Sequence, residues 1–134
     1  MSTTTEVNTT QKIANRLVSL CREGKFIDAV KELYAPNIVS DEPKGGPRPS
    51  HFEGIAEVLK KNEAFMSGIE EVHSNVISDP LVTEDHFAVT MKMDVTMKGM
   101  GRIQMDELCV YRVENEKIAT DQFFFKPMPI PGQN

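Results

Sequence analysis

The chain has 134 residues, with 40% hydrophobic and 26% charged side chains and a formal net charge of −5. That length suits one domain built on one core. The negative balance and the absence of a basic cluster exclude ordinary nucleic-acid binding, and no apolar run approaches the ~20 residues of a membrane-spanning helix.

The opening MSTTTEVNTT has neither the basic nor the apolar region of a secretory signal. Residues 1–8 read as a disordered polar tail. Asn8 to Gln11 has the form of a capping box. Beyond it Ile13, Ala14, Leu17, Val18, Leu20 and Cys21 recur at helical spacing, and Gly24 is a natural stop. Phe26, Ala29, Val30, Leu33 and Tyr34 predict a second helix, ended by Pro36. Asn37 to Asp41 predicts a short strand. Residues 43–50, with three prolines and two glycines, predict a loop. Ser50 to Glu53 offers another capping box, which would place His51 at the opening of a third helix, although Gly54 is an equal candidate for the cap. Ile55, Val58, Leu59 and Met66 continue that helix to about Gly68.

After residue 70 the period shortens to two. Val72–Ile77 and Leu81–Val82 predict strands broken at Asp79-Pro80. Phe87, Val89, Met91, Met93, Val95 and Met97 alternate with polar partners, the strongest strand signal in the chain. Ile103–Val113 and Lys117–Lys126 follow, joined by a turn at Glu114-Asn115-Glu116, where Asn tolerates a left-handed conformation. Residues 128–134 read as an extended tail. Three helices followed by a meander of long strands predict an α+β fold with helices on one face of a mainly antiparallel sheet. Cys21 and Cys109 lie far apart with no CxxC spacing, as expected of free thiols in a cytoplasmic protein.

Three segments, LYAPNIVSDEP at 33–43, HFEGIAEVLK at 51–60 and DELCVYRVENEKIATDQFFFKP at 106–127, resemble the NTF2-like superfamily in its SnoaL-like and ketosteroid-isomerase-like branch. The resemblance covers about residues 10–126, within a single domain at 9–127. It implies a cystatin-like cone, in which a strongly curved sheet wraps three helices around an apolar pocket. It also implies cofactor-free acid/base chemistry, namely isomerisation, cyclisation or hydration of a small hydrophobic molecule bearing a carbonyl. The alternatives on the same fold are a non-catalytic small-molecule-binding module and a dimerisation or interaction domain.

Candidate chemistry centres on carboxylates. Glu42, directly before Pro43, stands where the resemblance puts the isomerase base, with Asp41 beside it. Extended residues alternate, so at most one of the pair faces inward. A solvated strand end is the competing reading for both. The resemblance puts the isomerase oxyanion donors near Leu17 and Cys109, and neither side chain is a strong donor. SnoaL-like cyclases use an acid on the last strands, which points to Asp121 and Glu107, with Asp121 near Cys109 and Glu107 one step away. Carboxyls in an apolar pocket have raised pKa values. Cross-strand hydrogen bonding is their alternative role. Tyr34, His51, Met91, Met93, Cys109 and Phe123 complete the expected pocket lining, with core packing the alternative for the apolar ones. The three histidines lack metal-ligand spacing, so no metal is expected. Lys92, Asp94, Thr96 and Lys98 predict a polar outer sheet face, where the resemblance implies a homodimer.

Overall fold

A computed structural model describes residues 3–45 and 49–126, with side chains from residue 9 onward. Helix α1 (Thr3–Arg22) starts ahead of the Asn8–Gln11 capping-box pattern. It buries Ile13, Ala14, Leu17, Val18, Leu20 and Cys21, the stripe predicted by spacing. Gly24 ends it at φ 77°. There the Gly24 N–H donates to the Cys21 carbonyl at 3.0 Å and the Lys25 N–H to the Leu20 carbonyl at 2.9 Å, a left-handed helix stop that favours glycine.

Helix α2 (Phe26–Leu33) runs without a loop into strand β1 (Tyr34–Asp41). Tyr34, expected as the last apolar residue of the helix, is already extended at φ −89° and ψ 142°. Proline at 36 pushes its predecessor out of the helical region, which favours this early exit. The register between β1 and the parallel β7 (Lys117–Phe124) shifts between Tyr34 and Val39, so Pro36 sits where the ladder is already interrupted.

His51–Glu53 forms strand β2, antiparallel to β1, rather than the start of a helix. Pairing of Asp41 with His51 and of Ser40 with Phe52 overrides the local capping pattern. Gly54, at φ 89°, then turns the chain into α3 (Ile55–Ser67).

Strands β3 (Ile69–Ile77), β4 (Leu81–Val82), β5 (His86–Met97), β6 (Gly101–Glu114) and β7 complete the sheet. Its order is β2-β1-β7-β6-β5-β3, with β4 paired to β5. All neighbours are antiparallel except β1 and β7. Asn115 and Glu116, at φ 53° and 63°, make the two-residue turn between β6 and β7, whose two left-handed positions match the strand twist. The helices and the inner sheet face share one core, including Leu17, Val30, Ile38, Val58, Phe87, Val89, Tyr111 and Ile118. The predicted tail at 128–134 lies outside the described residues.

One irregularity positions the site. Between β6 and β7, Arg112 stands opposite Thr120 but Val113 stands opposite Ile118, so Ala119 is an extra residue on β7. Such a bulge changes which side chains face inward. It allows both Ile118 (0% exposed) and Asp121 (2%) to point into the core, although three residues apart they would face opposite ways on a regular strand.

Candidate active site

The end of β1 divides its side chains by alternation. Ser40 is fully buried and faces α3, and Glu42 points to the same side. Asp41 points the other way, where its carboxylate meets Nδ1 of His51 at 2.6 Å. Nε2 of that ring meets Glu53 at 2.8 Å. His51 is thus an exposed clasp on the β1–β2 ribbon, flanked by two acids that hold its pKa above the ordinary value.

Lys61 meets the inward pair. It sits on α3, one turn beyond the buried Val58, so its stem enters the interior. Its ammonium donates to Glu42 Oε2 at 2.6 Å and to Ser40 Oγ at 2.9 Å. The nitrogen lies 4.6 Å from the centre of the Phe52 ring and 5.0 Å from that of Phe123, within cation–π range of both. The Lys61 side chain is only 15% exposed and that of Glu42 28%.

Ser40 stands directly opposite Asp121 across the parallel β1–β7 ladder. Asp121 accepts a short hydrogen bond, 2.5 Å, from the Tyr34 hydroxyl on its Oδ2. Burial raises the pKa of this carboxyl. The hydroxyls of Ser40 and Tyr34 and the charge of Lys61 act in the opposite direction. Ser40 is near enough to matter, yet Oδ1 has no partner of good hydrogen-bond geometry among the described residues. A buried acceptor left in that state is costly, by about 1–3 kcal/mol.

Glu107 is half-buried on β6, directly opposite Met91 of β5. Burial, then the charge of Glu42, pushes its pKa up to about 7, with Lys61 pulling the other way. Asp121 stands opposite Tyr111, and Cys109 stands opposite Phe123. Glu107 is therefore two inward positions from Tyr111, roughly 13 Å along the strand, and not one step from Asp121 as expected. The acids occupy two ends of one interior, and the electrostatic influence of Glu42 and Lys61 reaches both.

The expected lining residues separate into groups. Cys109 is completely buried, and desolvation pushes its thiol pKa up, which suits packing. Met91 and Phe123 pack against the core from its edge, and Met93 stands half-buried opposite Met105. Phe123 also meets Tyr111 edge-on, with ring centres 6.4 Å apart. A cleft of about 530 Å³ opens beside this cluster, lined by Asp41, Glu42, Pro43, Lys44 and residues 122–125. Glu42 and Phe123 belong to both cleft and cluster, so Lys61 lies directly behind the cleft wall. Among the described residues no group of three or more His, Cys, Asp or Glu side chains is arranged to hold a metal ion.

Sequence reasoning missed Lys61 and Ser40. A lysine next to another lysine on a helix looks like solvated surface. The available signal was its spacing of three from Val58, on the flank of the apolar stripe. Ser40 was available from the same alternation that separates Asp41 from Glu42.

Residues 8–125 match the family model described as a SnoaL-like domain. The chain belongs to the SnoaL-like family. A candidate SnoaL-like polyketide cyclase from Mesorhizobium loti is 32% identical, with 84% of this chain and 96% of that chain covered and a TM-score of 0.77. A cystatin-like-fold protein of unknown function from Xanthomonas campestris is 17% identical, covering 87% and 89% of the two chains at a TM-score of 0.72. A Catenulispora acidiphila protein with a ketosteroid isomerase-like fold, bound to trimethylamine, is 18% identical over 85% of each chain at a TM-score of 0.66. The two more distant likenesses show the fold alone. No match was found among curated proteins. The SnoaL-like chain therefore has the NTF2-like fold expected of it, and no helix among its described residues is long and apolar enough to cross a membrane.

Proposed function

We propose that this SnoaL-like protein moves a proton on a small hydrophobic carbonyl compound without a cofactor, as an isomerase, cyclase or hydratase. The observation that carries the reading is an interior with Asp121 and Glu107 at its two ends, both within the electrostatic influence of Lys61, whose ammonium binds Glu42 at the wall of a cleft. Glu107 is the proton carrier. A general base works best with a pKa near the working pH, and burial brings Glu107 to about 7. Its carboxylate takes the proton next to the carbonyl, and the same carboxyl returns it at a neighbouring carbon. Asp121, held by Tyr34, is the second acid at the deeper end. Phe123 lines the cleft, and Phe52 and Met91, like it, pack against the core, apolar surroundings that favour a hydrophobic substrate and strengthen charge interactions by excluding water.

The test uses a panel of enolisable hydrophobic ketones in heavy water, with deuterium uptake next to the carbonyl followed by NMR. Catalysed uptake by the native protein, lost at least a hundredfold in Glu107→Gln and reduced in Asp121→Asn, supports the reading. Saturable binding of the same ketones with no catalysed uptake favours a binding module.

The same reading includes a homodimer through the outer sheet face. Leu81, Leu108 and Phe124 are 78%, 43% and 46% exposed there, and Leu108 and Phe124 stand directly opposite each other. Apolar side chains adjoining on one face suit a self-complementary two-fold contact. Sedimentation of native protein and a Phe124→Lys variant tests it, with a dimer expected for the first and a monomer for the second.

A further inference from the structure

We propose that Lys61 is the group that stabilises the negative oxygen formed during proton transfer, and that the substrate is accordingly a ketone or enone whose carbonyl oxygen reaches this aromatic-walled ammonium. The inference rests on the acid/base reading above and names the missing half of its chemistry. Proton abstraction next to a carbonyl needs a donor at the oxygen as much as a base at the carbon. The positions where the family resemblance would put such donors are closed. Leu17 is 2% exposed and has no donor, and Cys109 is 0% exposed and has only a thiol.

Lys61 has the required properties. An ammonium carries three N–H donors, and Ser40 and Glu42 occupy two. The third has no partner among the described residues. A lysine this buried is rare unless its charge is used or matched. The Phe52 and Phe123 rings flank the nitrogen and the side chain is mostly buried, so its field on a nearby oxygen is screened less than in open water. Phe123 and Glu42 also form the wall of the cleft, so a molecule in the cleft is one side chain away from the ammonium.

The charge balance of the step fits this placement. As the C–H bond breaks, its proton forms an O–H bond with the Glu107 carboxylate, and the electron pair passes through the carbon skeleton to the carbonyl oxygen. One negative charge leaves Glu107 and one appears on that oxygen. Nothing is oxidised or reduced. The site keeps its net charge, and the attraction of Lys61 is transferred from the acid to the enolate. Reprotonation at carbon reverses the movement.

2-Naphthol serves as the probe, because its ionised form mimics an enolate and fluoresces differently from the neutral form. Bound to the native protein, it should ionise at a pH at least one unit lower than in water, a tenfold preference for the anion. Lys61→Met should lose that preference. The double variant Glu42→Gln/Lys61→Met, which leaves no unpaired buried charge, should lose it equally while remaining folded. Lys61→Arg should retain part of it. An anion preference unchanged in the double variant overturns the proposal, as does native protein that binds naphthol only in its neutral form or not at all. Failure of the acid/base reading is separate: naphtholate preference would persist while catalysed deuterium uptake was absent.

Discussion

Replacing Glu107 by Gln isolates the energetic cost of a titrating acid inside the protein. In the native protein burial and the nearby Glu42 raise the pKa from the ordinary 4.5 to about 7. A group raised on folding binds its proton more tightly in the folded state. Its contribution to stability is complete below about pH 4.5 and is lost as pH rises through about 7. At about 1.4 kcal/mol per pH unit, the loss across that window is about 3 kcal/mol. Glutamine keeps the shape and is neutral at every pH. The variant and the native protein should therefore have similar stability at pH 4 and diverge as pH rises, until the variant is about 3 kcal/mol more stable at pH 8. For a chain of this length that corresponds to a melting temperature higher by about 10 °C. Thermal unfolding followed by circular dichroism at half-unit steps from pH 4 to 8.5 measures it. A difference between the two proteins that does not vary with pH would refute the reasoning, because it would place Glu107 in solvent.

Two further expectations follow from named contacts. Tyr34→Phe removes the hydroxyl that donates to buried Asp121, and should cost about 1–3 kcal/mol in urea unfolding at neutral pH; a loss below about 0.5 kcal/mol would mean that Asp121 finds another donor. His51, clasped between Asp41 and Glu53, should titrate by NMR above its ordinary 6.5, so its contribution to holding the β1–β2 ribbon is full below that pH and declines as pH rises through the folded value. Titration at or below 6.5 would show the clasp absent in solution.

Much of the fold was legible because hydrophobic period is a property of the sequence itself. The β5 alternation from Phe87 to Met97 and the α1 stripe from Ile13 to Cys21 needed no tertiary information. Three features depended on neighbours. His51 and Glu53 carried a helix-start pattern, but pairing with Asp41 and Val39 on β1 made them a strand. Ile118 and Asp121, three residues apart, would face opposite ways on a regular strand. The extra residue at Ala119 reconciles them, and a bulge leaves no trace in a period-two pattern. Asp121 also faces Tyr111 rather than Cys109 because the turn at Asn115-Glu116 and that bulge jointly set the register.

The acids of the candidate site could be found because carboxylates among apolar residues are conspicuous. Their counter-charge could not. Lys61 lies next to Lys60 on a helix, and only the packing of α3 against β1 and β2 shows that one of the two enters the interior. VSDEP illustrates the same boundary. Alternation allows at most one acid of the pair to face inward. The Ser40–Lys61–Glu42 contacts show that it is Glu42, while Asp41 turns out to His51.

The proposed chemistry requires an interior acid able to gain and lose a proton near neutral pH. Carboxyl ¹³C NMR of selectively labelled glutamate, assigned with Glu107→Gln, measures that most directly. Glu107 is predicted to titrate with a midpoint at about 7. A midpoint at the ordinary 4.5 would contradict the account, since an acid already fully ionised in water-like surroundings has no tuned proton to deliver.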